Sequence, residues 1–85
     1  MSNQSGSVEI PLSRPFKVGG ADVTSLTMRE PTVGDQLVAQ AGGGTEAEHE
    51  VALLANLCSI TPTELRAMPL RDYMRVKTEF MGFID

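Results

Sequence analysis

Val8, Ile10 and Leu12 alternate with polar positions, the run goes on through Phe16 and Val18 to Gly19-Gly20, and a second β-rich run spans Val23 to Met28. Period-two apolar runs joined by two glycines predict a hairpin, because a primed turn needs positive φ at both central residues and glycine reaches it cheaply. The pairing expected is residues 8–18 with 21–29. Pro11 and Pro15 both fall in the first run, and proline cannot donate to a ladder, so that strand is an edge or is broken into short pieces. A lone hairpin is marginal in water and must pack on something, for which the helices that follow are the partner.

After Pro31 the period changes to that of a helix. Thr32, with Asp35 three places on, can cap a helix running to about Ala41, with Val33, Leu37, Val38 and Ala41 on one side. Pro31 and Thr32 set the corner between strand and helix, and Gly34 would let the hairpin backbone approach closely. Gly42-Gly43-Gly44 ends that helix in a flexible joint, a loop or alternatively a hinge. Thr45 and Glu48 form a second capping box, followed by Val51, Leu54, Ala55 and Cys58 at helical spacing and by Leu53, Leu57 and Ile60 as a neighbouring row. A stripe that wide predicts a central helix buried on two sides. Thr61-Pro62-Thr63-Glu64 starts a short helix carrying Leu65 and ending near Met68. Leu70 opens the last helix, to about Gly82, with Tyr73, Val76, Lys77, Phe80 and Ile84 on one face and Leu70, Met74 and Met81 beside it. Asp72–Arg75 and Arg75–Glu79 have the spacing of solvent-side ion pairs. The fold expected is α+β: an N-terminal β-hairpin (8–29) packed on a small bundle of three to four helices (32–84).

Composition narrows this reading. Eighty-five residues make one domain, with residues 1–7 a disordered polar tail and 8–85 the folded unit. Four aromatics, no tryptophan and five methionines make an adaptable core, stable by roughly 5 kcal/mol on the per-residue rule. A lone cysteine allows no internal disulfide, and neither a secretion signal nor a membrane span is legible, so a cytoplasmic setting is expected. The net charge is −4, and no Lys or Arg occurs between Arg29 and Arg66, while Glu30, Asp35, Glu46, Glu48, Glu50 and Glu64 do. Nucleic-acid binding needs cations that displace phosphate counterions, and the middle of this chain offers the opposite. These carboxylates read first as a solvated helix face.

Reactive side chains do not converge. His49 and Cys58, the only residues of their kinds, would stand about 13 Å apart along a helix and roughly 180° around it. His49 reads as a surface residue among Glu46, Glu48 and Glu50, and Cys58 as a small core residue. The three glutamates alternate and so spread over different faces. Gly42 to Gly44 lacks the Lys-Ser/Thr end of a phosphate loop. No catalytic, metal or cofactor residue is assigned, and no enzyme activity is expected. One rival remains: the segment from Val51 to Leu70 has the outline of a helix-turn-helix, a small DNA-binding regulator. Its turn has no glycine and its reader only Arg66 as a base-reading cation.

The order Ile10-Pro11-Leu12, Arg14-Pro15-Phe16, the Gly-Gly turn, Leu26-x-Met28-Arg29-Glu30-Pro31-Thr32 and Gly34-Asp35 resembles the small tail assembly chaperones of contractile-tailed phages of the Mu and P2 kind. So do the Val51-Ala52-Leu53-Leu54 helix, Leu65, and Leu70-x-Asp72 before a final amphipathic helix. The Arg-Glu-Pro-Thr-x-Gly-Asp stretch carries most of the specificity. The resemblance implies a non-enzymatic phage or prophage protein of the bacterial host cytoplasm. It would hold the long, apolar tape measure protein soluble until the tail tube forms around it, and be absent from the particle. It also implies, for many relatives, a frameshifted longer form as a further partner. The alternative is a structural tail component retained in the virion. Met74, Phe80, Met81, Phe83 and Ile84 crowd more apolar surface near the C-terminus than a thin helix can bury. That end is the expected surface for the client or for self-association, with Phe80 and Met74 alternatively packed on the hairpin as core, and with Phe83 and Ile84 expected to be exposed.

Overall fold

Two antiparallel strands, β1 (Ser7–Val18) and β2 (Ala21–Arg29), open the computed structural model, which describes residues 6–84. The expectation for the polar tail therefore lies, over residues 1–5, outside the described residues. Gly6 and Ser7 belong to the hairpin: the Glu30 N–H donates to the Gly6 carbonyl at 2.7 Å, and Ser7 pairs with Arg29. The turn glycines have φ of +59° and +86°, the two positive values of a type I′ turn.

Val18 faces Ala21 and Phe16 faces Val23, and the register then breaks until Pro11 faces Ser25. Leu12, Ser13, Arg14 and Pro15 stand opposite Thr24 alone. The two prolines thus flank a wide bulge and split β1 into short pieces, as their missing N–H groups require.

Four helices follow: α1 (Val33–Ala41), α2 (Glu46–Leu57), α3 (Pro62–Arg66) and α4 (Leu70–Ile84). The first three begin with the same reciprocal device. Thr32 with Asp35, Thr45 with Glu48, and Thr61 with Glu64 each satisfy one helix N–H with a hydroxyl and the cap N–H with a carboxylate. Gly44 is tied to its box twice over. Its φ is +93°, and a Cβ there would come 2.5 Å from Glu48 Oε1. Gly34 is different, since a Cβ would meet only Thr32 Oγ1 at 3.7 Å; no hairpin backbone approaches it, contrary to the expectation.

α2 ends on a Schellman motif in which Ser59 takes φ of +60°. Its N–H reaches the Asn56 carbonyl at 3.2 Å and that of Ile60 reaches the Ala55 carbonyl at 3.0 Å. Ile60 is thereby turned back into the core.

That core lies between the hairpin and the helices. Ile10, Phe16, Leu26 and Met28 meet Leu54, Ala55, Leu57 and Cys58 of α2, joined by Ile60, Leu65, Met68 and Val76. α2 packs on α1, α3 and α4, the central position its wide stripe predicts, while α4 covers β1.

Three details correct the sequence reading. Asp72 makes no ion pair with Arg75: it is 1% exposed and accepts from the Ser13 N–H at 3.0 Å and the Ser13 hydroxyl at 2.9 Å. A carboxylate in the first turn of α4 thus holds the bulge of β1. Arg75 instead donates to the Pro11 carbonyl at 3.1 Å. Phe83 is half-buried against the core rather than exposed, because the buried face of α4 is rotated toward Asp72 and Val76.

Candidate functional site

α1 is the element whose placement says most. It packs on α2, and its only buried residues are Ala39 and Asp35. Asp35 is held from three directions. Arg29 donates bidentately, with 2.7 and 2.8 Å contacts; the Thr32 N–H donates at 2.9 Å and the Thr32 hydroxyl at 3.0 Å. The Arg29 guanidinium foremost, then the Thr32 N–H, hold its carboxyl well below the usual carboxylate range. This clamp fixes the rotation of α1. The expected apolar row is consequently turned outward, with Val33 77%, Leu37 61% and Val38 68% exposed.

α4 distributes the five candidate residues over different sides. Phe80 is half-buried against the core and forms part of a groove floor beside Leu53 of α2, with Ile84, 56% exposed, at the same groove. Phe83 faces the start of the hairpin around Ser7 and Val8. Met74 borders a recess over Ile10 and Pro11 and is 51% exposed; Met81 is 55% exposed. Leu70, also exposed, lies one turn before Met74 and shares its side. The structure therefore joins Phe80 and Ile84 into one site and leaves Met74 and Met81 on the outer side of α4.

The groove lies between α1, α2 and the end of α4 and encloses about 400 Å³. Gln36, Ala39 and Gln40 come from α1, and Glu46, Ala47, His49, Glu50 and Leu53 from α2. A smaller recess of about 210 Å³ continues it past Pro31, Thr32 and Val33, sharing Gln36, Leu53, Phe80 and Ile84. The groove thus runs out to the first residue of the exposed row of α1.

Charge is unevenly disposed around it. Glu50 accepts from the Tyr73 hydroxyl and lies 3.4 Å from Lys77 Nζ, which stands 5.9 Å from the Tyr73 ring centroid. Burial, followed by the Glu50 carboxylate, raises the Tyr73 phenol well above its ordinary value. Glu46 makes no ion pair among the described residues. His49 is not the plain surface residue expected: it is half-buried in the groove wall, and its Nε2 is buried without a hydrogen-bond partner. Cys58 lies elsewhere, in the core, where burial pushes its thiol up to about 11.

His49 lines an open groove, Cys58 is remote from it, and among the described residues no three His, Cys, Asp or Glu side chains gather as metal ligands. No helix among them is long and apolar enough to cross a membrane. α3, the reader of the helix-turn-helix alternative, has five residues, and Arg66 lies 3.5 Å from Glu48. The apolar periodicity of Val33, Leu37 and Val38 was visible in the sequence, yet these residues were not among the candidates. Spacing shows that residues share a face and not which neighbour covers it.

No curated protein and no solved structure matches the chain. A family model described as "Phage tail assembly chaperone proteins, E, or 41 or 14" matches residues 9–85, nearly its whole length. The hairpin from Glu9 onward, the Arg29–Asp35 corner and all four helices fall inside that match, and the chain therefore belongs to the phage tail assembly chaperone family.

Proposed function

We propose that this chaperone binds the tape measure protein of its phage in the host cytoplasm and keeps it soluble until the tail tube assembles around it. The observation that supports the reading best is the outward row of Val33, Leu37 and Val38, held there by the Arg29–Asp35 clamp. Large aliphatic side chains on the open side of a short helix gain nothing in the isolated chain. Covering each one contributes about 1.5–3 kcal/mol, and a long apolar client supplies such a cover. The acidic middle of the chain disfavours nucleic acid as the covering partner.

The test is co-expression with the tape measure protein encoded in the same phage. With the wild-type chaperone the client stays in the soluble fraction and co-purifies, and Leu37→Ser with Val38→Ser reduces its yield several-fold without altering the far-ultraviolet circular dichroism of the chaperone. A client equally insoluble with and without the protein refutes the proposal. Mass spectrometry of purified particles distinguishes a departing chaperone, which is absent, from a retained tail component.

A further inference from the structure

We infer that the groove between α1, α2 and the end of α4 receives one amphipathic helix of the client, apolar side down on Leu53, Phe80 and Ile84, with Lys or Arg along the border facing Glu46. The inference rests on the chaperone reading and specifies its site and the chemistry of its occupant. Shape is the first argument. The two continuous recesses form a trough walled by helices, with an apolar floor and a rim of Gln36, Gln40 and Glu46, the form that takes a helix lying lengthwise.

Charge is the second argument. Both long walls come from the segment between Arg29 and Arg66, which contains no Lys or Arg. Glu50 already has Lys77, whereas Glu46 is unpaired among the described residues, so a basic border on the occupant finds an unopposed carboxylate. A second copy of this chain supplies such a border poorly. Of its seven Lys and Arg residues, Lys17, Arg29, Arg66 and Lys77 are paired with its own carboxylates and Arg75 with the Pro11 carbonyl, which leaves only Arg14 and Arg71, far apart in the chain, to form one.

The probes are two fluorescein-labelled designed helical peptides with leucines along one side, bordered in one by lysines and in the other by glutamates. Titrated by fluorescence anisotropy against the full chain at low salt, the lysine peptide is expected to bind about tenfold tighter or more, a preference that added salt reduces. Glu46→Gln should weaken the lysine peptide about two- to fivefold, and Ile84→Ser should weaken both peptides. Both positions are exposed, so the variants keep their fold, which circular dichroism verifies. Equal affinity for the two peptides, binding to neither, or binding untouched by both variants overturns the inference. Self-association that Ile84→Ser abolishes, seen by sedimentation, overturns it by making a second copy the occupant. Co-expression separates the two levels: if Glu46→Gln combined with Ile84→Ser keeps the tape measure protein as soluble as the wild type does, the groove assignment fails and the chaperone reading stands. If the wild type itself fails to do so, the chaperone reading fails whatever the peptides do.

Discussion

Replacing Asp72 with alanine tests whether a single carboxylate joins the first strand to the last helix. Asp72 accepts the Ser13 N–H at 3.0 Å and the Ser13 hydroxyl at 2.9 Å from a position 1% exposed. Hydrogen bonds to a charged group contribute about 1.5–3 kcal/mol each. Ser13 is itself exposed, so water can replace part of what is lost, and the low end applies. Asp72→Ala should therefore cost about 3 kcal/mol, against a total of roughly 4–13 kcal/mol for a chain of this length. Ser13→Ala removes the hydroxyl bond and leaves the N–H bond, for a cost of about 1.5 kcal/mol. Urea unfolding followed by circular dichroism measures both, and the double variant completes the cycle. Once Asp72 is gone, removing the hydroxyl should cost less than about 0.5 kcal/mol. If Asp72→Ala lies within 1 kcal/mol of the wild type, or the two substitutions simply add, the bulge is not held as described.

Ser59 occupies a left-handed position that glycine adopts without strain, so Ser59→Gly should raise stability by about 0.5–1 kcal/mol in the same assay. Asp35, Glu48 and Glu64 all ionise more readily when folded than when unfolded, the first through Arg29 and the others chiefly through their cap N–H groups. Such depressed carboxyls give stability that is complete above the ordinary carboxylate range, near pH 4–4.5, and is lost as pH falls toward their folded values. Stability should therefore decline below about pH 5, and Asp35→Asn, less stable at neutral pH, should approach the wild type as the pH falls toward 2; a constant gap would contradict the role given to Asp35. The Cys58 thiol, buried and raised to about 11, should resist iodoacetamide at pH 8 in the native state and react promptly in denaturant, as mass spectrometry would show.

Local chemistry made much of the fold legible. Gly19-Gly20 dictates its turn wherever the hairpin sits, and each Thr-x-x-acid box marks its helix start with groups three residues apart. A break in β1 followed from proline's missing donor, although the bulge that makes it did not. What stayed hidden depends on groups far apart in the chain. Asp72 had the spacing of a surface ion pair with Arg75, and only the arrival of β1 against α4 reassigns it to Ser13. The rotation of α4 that draws Phe83 inward follows from the same contact. The outward turn of Val33, Leu37 and Val38 was hidden for a similar reason, since the clamp on Asp35 sets it. Of the C-terminal candidates, Phe80 and Ile84 meet Leu53 and the start of α1, a junction that only tertiary packing creates.

The contact between Ser13 and Asp72 also bears on how the polypeptide comes off the ribosome. The hairpin is synthesised well before the helix that covers β1 and grips its bulge. Until α4 emerges the apolar side of the hairpin is only partly covered, by α2, and the helices between, each delimited by its own local signals, can form meanwhile. This member of a chaperone family thus depends on α4 to finish sheltering its own hairpin.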